Sequence, residues 1–177
     1  MPQETELIIP DAFLYKPFYE PNCVIQLQKG NSIEDDISCY PFFYDILYSL
    51  EATAHQHNPW GKIDYYAPII FQKWLSEKDL IAAFFRNRDK ANASQPMIQH
   101  IANMIDIIYW INGRPITSLD NITVELQELS IKPINCQERI EFLLDNPVHY
   151  HAFIQLSELY VEIRKQYEKV LLKMRTK

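Results

Sequence analysis

Between Asn146 and Met174, apolar residues recur at positions 152, 153, 156, 159, 160, 163, 167, 170, 171 and 174, with others such as Ile154 off this line. Gaps of three and four draw one continuous stripe on a helix of 3.6 residues per turn. Asn146 is a capping residue type, and Pro147 suits a first helical position because it has no N–H to satisfy there. A helix of this span runs to roughly 42 Å. One so one-sided must bury its stripe, and the preceding chain reads as shorter helices that cover it.

Those helices follow from the same pattern. Ser32 ahead of Glu34, Asp35 and Asp36 is a start signal, with acids placed against the helix dipole. Pro41 then kinks or restarts the helix, whose body, 42–54, puts Phe43, Ile46, Leu47 and Leu50 on one face before the Asn58-Pro59-Trp60-Gly61 turn. Pro68 opens the next helix, continuous to about Asn87, and 86–94 is a polar loop. Ser94 and Pro96 begin the most apolar helix, 97–111, which Asn112-Gly113 closes because both residue types accept left-handed backbone. Short helices follow at about 119–129 and 139–144, the latter capped by Asn135 and Glu138. Before all of these, Pro2, Pro10, Pro17 and Pro21 rule out a long helix in the first thirty residues. That stretch is an aromatic arm with a short strand near Glu6–Ile9 and no evident partner for it. The expected architecture is all-α, a single-domain bundle of six or seven helices. Residues 1–31 form a proline-rich arm packed on the helical part, 32–177.

Composition narrows the function classes. With 47% hydrophobic and 13% aromatic residues, the 177-residue chain can bury a sizeable core. Three glycines leave no phosphate-cradling loop, and no Walker, dinucleotide-binding, H-E-x-x-H or nucleophile-elbow pattern occurs. The net charge of −6 gives no general attraction to nucleic acid. It is unevenly spread: ten acids against three bases in residues 1–64, and six bases against two acids in 161–177. The basic tail either packs near the acidic third or faces water. The longest apolar window, 101–111, is too short to span a bilayer. Two glutamates precede any apolar run, without a basic leader. Cys23, Cys39 and Cys136 lack C-x-x-C spacing and read as free thiols. Together these point to a cytoplasmic protein.

Few residues suggest chemistry. His55 and His57, at a helix end, could chelate a metal with a third ligand from elsewhere, whereas His149 and His151, two apart on a helix, point apart. Polar termini explain both pairs more simply, and no cofactor is expected. Cys136 lies near a helix N-terminus that would activate a thiol, but a small buried residue there is the plainer reading. Gln99, Asn103 and Asp106, with His100 beside them, form the one polar line on the apolar helix, either the floor of a polar pocket or, more commonly, a solvent-facing edge. Arg164, Lys165, Lys169 and Lys173 make a basic face that could grip phosphates, against the overall charge.

Three stretches resemble the YpoC-like family of small proteins from low-GC Gram-positive bacteria. They are Asn58-Pro59-Trp60 with Phe71-Gln72-Lys73-Trp74; Tyr109-Trp110-Ile111-Asn112 with Arg114-Pro115; and Lys132 to Arg139 leading into Tyr150 to Leu156. The resemblance spans about residues 40–170 and implies a cytoplasmic bacterial protein without enzymatic activity; the family supplies no catalytic or binding residue to carry over. The expected function is a protein–protein interaction module with an unidentified protein partner. Its candidate surface is Trp60, Asn135, Arg139, His149, Tyr150 and His151, since aromatics beside an arginine are typical binding anchors. The alternatives are a nucleic-acid accessory protein using the lysine face, a small-ligand or metal-binding helical domain, and a homodimer through the C-terminal helix.

Overall fold

The computed structural model describes residues 5–27, 30–51 and 57–176. Among these, seven α-helices pack around one core: α1 Ile33–Cys39, α2 Phe43–Ser49, α3 Ile63–Arg86, α4 Lys90–Ile111, α5 Ile122–Glu128, α6 Cys136–Asp145 and α7 Tyr150–Arg175. The all-α expectation holds. Helix α4 lies at the centre, against α3, α7 and α1. From Gln99 to Ile111 every residue of it is buried.

Several boundaries differ from the sequence reading, each for a local reason. The strand near the N-terminus does have a partner: β1 Thr5–Ile8 pairs antiparallel with β2 Val24–Leu27, with Leu7 opposite Ile25. From the arm, Ile9, Phe13, Tyr19 and Ile25 enter the core, and the Tyr19 hydroxyl donates to the Pro41 carbonyl at 2.8 Å. Ser32 caps α1 through a box with Asp35. At Pro41 the helix restarts rather than kinks, with Phe42 in left-handed backbone (φ 57°) ahead of α2. Helix α2 ends at Ser49, short of the expected Ala54, and residues 52–56 lie outside the described ones.

Helix α3 begins at Ile63, five residues before Pro68. The Asp64 carbonyl that Pro68 cannot serve faces the Tyr167 hydroxyl at 3.5 Å. The expected 86–94 loop shrinks to three residues because Asp89, not Ser94, caps α4, accepting from Asn92 N at 3.1 Å; Pro96 therefore sits inside the helix. Helix α5 starts at Ile122, later than expected. Asn135 is left-handed (φ 51°) and gives α6 no side-chain cap. Asn146 does not cap α7 either. Its Nδ2 donates back to the Phe142 carbonyl of α6 at 3.3 Å, and α7 starts at Tyr150 after an extended His149. The α7 stripe is buried at Ala152, Phe153, Leu156, Leu159, Tyr160, Ile163 and Tyr167. It is half-buried at Val170 and Leu171 and exposed at Met174. Arg164, Lys165, Lys169 and Lys173 face water, and Arg164 pairs only with Glu168 of the same helix among the described residues.

Asn112 does more than end α4. Its Nδ2 donates to the carbonyls of Ile108 and Ile131, each at 2.7 Å, and its Oδ1 accepts from Ile131 N at 2.9 Å. This imitation of a backbone ladder anchors the segment leading to α6. Asn112→Ala is expected to cost about 1–3 kcal/mol in urea unfolding, since it orphans both backbone groups of Ile131. Asn146→Ala, which loses one longer bond, should cost less.

Candidate functional site

The polar line on α4 is not a solvent-facing edge. Gln99, His100, Asn103 and Asp106 are all at most 2% exposed, because covering helices lie on every side of α4. Asp106 meets Asp45 of α2, itself fully buried, and the two carboxyls share a hydrogen bond. Asp45 also accepts from Trp110 Nε1 at 3.1 Å and from Ile116 N at 2.5 Å. Those donors favour the charge on Asp45. Burial pushes both carboxyls up, and the neighbouring Asp45 charge raises Asp106 further, which favours a protonated Asp106 beside a charged Asp45.

One turn-pair earlier, His100 Nε2 lies 2.9 Å from Glu77 of α3, and Nδ1 lies 3.1 Å from the Tyr160 hydroxyl of α7. Burial lowers the His100 pKa, which keeps the ring neutral: Nε2–H donates to the carboxylate and Nδ1 accepts from the tyrosine. The His100 hydrogen bond, with Lys73 at 2.5 Å assisting, holds Glu77 down at about 2. Tyr160 in turn stacks on Trp74, centroids 4.5 Å apart and planes 6° from parallel. The chain Lys73–Glu77–His100–Tyr160 ties α3, α4 and α7 together. Pattern reading missed Asp45, Glu77 and Trp74 as members of these networks, because their partners are distant in the chain, 71 residues away for Asp45 and Ile116.

The other candidate groups are structurally committed. Burial raises the Cys136 thiol to about 11, opposite to an activated nucleophile. His57 Nδ1 lies 2.6 Å from the Tyr66 hydroxyl, and His55 lies outside the described residues. No cluster of three or more His, Cys, Asp or Glu that could hold a metal occurs among the described residues.

The surface candidates divide. Asn135, Arg139 and His151 come together along a groove of about 490 Å³ between α6 and α7, whose α7 side includes Ile154. Arg139 is a fixed wall of it: its guanidinium reaches Gln155 at 2.9 Å and Glu162 at 2.7 Å. Ile134, 75% exposed, precedes Asn135 in the turn ahead of α6. Tyr150 lies elsewhere, 6.0 Å from the Phe85 ring and 6.2 Å from the Phe153 ring by centroid. His149 lines a separate depression with Lys90 and Asp145. Trp60 is half-buried, edge-on to Tyr48 at 5.0 Å. Ile154 was visible in the sequence as an apolar residue off the α7 stripe; Ile134, outside any periodic segment, left no such signal.

The fold and site define a small all-α protein that seals Asp45, Asp106 and His100 in its core and carries grooves on either side of its last helix. The chain belongs to the YpoC-like protein family, whose profile matches residues 64–175. It is similar to the protein described as uncharacterized protein YpoC of Bacillus subtilis (strain 168), 31% identical over 143 residues, covering 80% of this chain and 85% of that one. No solved structure matches the chain. Among the described residues, no helix is long and apolar enough to cross a membrane.

The carboxyl pair makes stability depend on pH. A group whose folded pKa lies above the unfolded value of about 3.9 stabilises fully below that value, and the contribution fades as pH rises through the folded one. Asp106→Asn keeps a donor for Asp45 without a titrating proton. Its stability relative to wild type, from urea unfolding, should therefore rise between pH 5 and pH 8, gaining about 1–3 kcal/mol at the upper end. A difference independent of pH would show that the pair shares no proton.

Proposed function

We propose that the protein is a non-enzymatic cytosolic interaction module that holds an apolar segment of a partner protein in the α6–α7 groove. The observation that carries this is Ile134, three-quarters exposed in the turn beside a groove of about 490 Å³ that ends in apolar Ile154. A large apolar side chain held on a left-handed Asn turn costs solvation in the free protein, and covering it recovers that loss. The rigid Arg139 wall lowers the ordering cost of binding. The non-enzymatic character is supported by where the perturbed groups lie: Asp45, Asp106 and His100 are buried among their partners and line no part of the groove, and the Cys136 thiol at the start of α6 is buried and pushed up rather than activated. A photo-crosslinking residue at position 134 of the full chain, expressed in its native host, should capture a discrete partner. The same residue at exposed Leu80 of α3 should not, and Ile154→Asp should abolish the capture. Equal capture from both positions, or capture that survives Ile154→Asp, would overturn the assignment.

A second reading, a homodimer through the end of α7, draws on Leu172 and Met174, which are 62% and 51% exposed beyond the covering helices. Light scattering should then report twice the monomer mass for wild type and the monomer for Leu172→Glu. A wild-type monomer at high micromolar concentration sets the dimer aside.

A further inference from the structure

Helix α7 is a ridge between two grooves. The second, against α3, has a volume of about 390 Å³ and is lined from α7 by Phe153, Tyr160, Val161 and Arg164, none of which faces the α6 side. Its floor is Phe71 and Trp74 of α3 with Phe153 and Tyr160 of α7. The floor is rigid. Trp74 and Tyr160 stack face to face, and the Tyr160 hydroxyl is held by His100, itself held by Glu77. Such a surface gives up little side-chain freedom when a ligand lies on it.

Two features specify the ligand. The rim carries Leu75 and Val161, 41% and 56% exposed, so the trough continues apolar to its edge. The faces of Trp74 and Tyr160 are spent on each other, and both rings are at most 4% exposed. A flat aromatic ligand therefore finds no free face to stack on, and an aliphatic chain is the better fit. The charged side chains at the groove are Lys78 and Arg164 against one carboxylate, Asp79. Lys78 makes no ion pair among the described residues. Arg164 lies over the Phe71 ring, 5.9 Å from its centroid, and reaches Glu168 only through an exposed contact at 3.5 Å that holds it weakly. The mouth of this trough is thus net cationic on a chain of net charge −6. An apolar trough of this volume with a few charged groups along its mouth has the form of a small-molecule site.

We propose that the α3–α7 groove binds an amphiphilic monocarboxylate, with its aliphatic chain between Leu75 and Val161 and its carboxylate at Lys78, the cation that makes no ion pair among the described residues. This site is independent of the α6–α7 groove and stands whether or not that groove takes a partner.

The test is calorimetric titration of the full chain with decanoate, below its micelle-forming concentration, beside uncharged decanol. Saturable binding of decanoate is expected, with decanol weaker by about tenfold or more, the contribution of charge-assisted hydrogen bonds to the head group. Lys78→Glu should erase the preference for decanoate while leaving decanol binding in place. Val161→Asp should weaken both ligands. Both substitutions lie at the groove's rim, and circular dichroism matching wild type confirms their folding. No saturable decanoate binding overturns the proposal, as does equal affinity for the two ligands in wild type. Decanoate affinity unchanged in both variants places the ligand elsewhere and overturns it too, and so does saturable binding of an acidic amphipathic peptide by a protein that ignores decanoate.

Discussion

A helix buried on every side depends on its neighbours to satisfy its polar groups, and α4 places that demand on the rest of this molecule, with Gln99 Oε1, Asn103 Nδ2 and Asp106 Oδ1 left without a hydrogen-bond partner among the described residues. Trp110 and Asp106 require a carboxyl, which fixes Asp45 and so α2. His100 requires an acceptor and a donor, which place Glu77 of α3 and Tyr160 of α7. The Tyr109 hydroxyl donates to Glu125 of α5 at 3.0 Å, and Asn112 pairs with the backbone of Ile131 on the way to α6. Hydrophobic burial brings these helices together without direction. The hydrogen bonds favour one arrangement among the many that would bury similar area, because a wrong arrangement strands further polar groups in the core.

The same condition separates interior chemistry from surface recognition. Groups that look reactive in isolation are sealed inside and committed: a shared-proton carboxyl pair, a neutral imidazole between an acid and a tyrosine, a thiol pushed up by burial. What reaches the surface is shape. Because the networks hold α7 against α3 and α4, and α6 packs on its other flank, the long helix stands as a ridge with a groove on either side. One groove is walled by Arg139 and adjoins an exposed isoleucine; the other is floored by stacked aromatics and edged by cations.

The arm shows how local signals and tertiary demand divide. Its prolines excluded a helix, and its aromatics were evident core material, yet the pairing of β1 with β2 was not legible. The partner strand, Val-Ile-Gln-Leu, is four residues and is separated from the first by residues 9–23 rather than by a short hairpin turn. Pro68 and Pro96 misled in the other direction. Each was read as a helix start, but a helix can run through a proline near its beginning where the freed carbonyl finds another partner or little is lost.

What the sequence determined by itself was the all-α class, the long α7 with its buried stripe, the continuous α3, the end of α4 at Asn112-Gly113, the Ser32 cap and the resemblance that places the chain in its family. The resemblance rests on short motifs, and the others on periodicity or on contacts within a few residues. Only the tertiary structure decided that Gln99, Asn103 and Asp106 face inward, that Asp45 meets Asp106 and Trp110, that Asn146 serves the helix before it and that Asn135, Arg139 and His151 share a groove while Trp60, His149 and Tyr150 do not. The reason is physical: a polar residue's role depends on which distant group meets it, as with Asp45 and Trp110 across 65 positions of chain, and no local pattern carries that information.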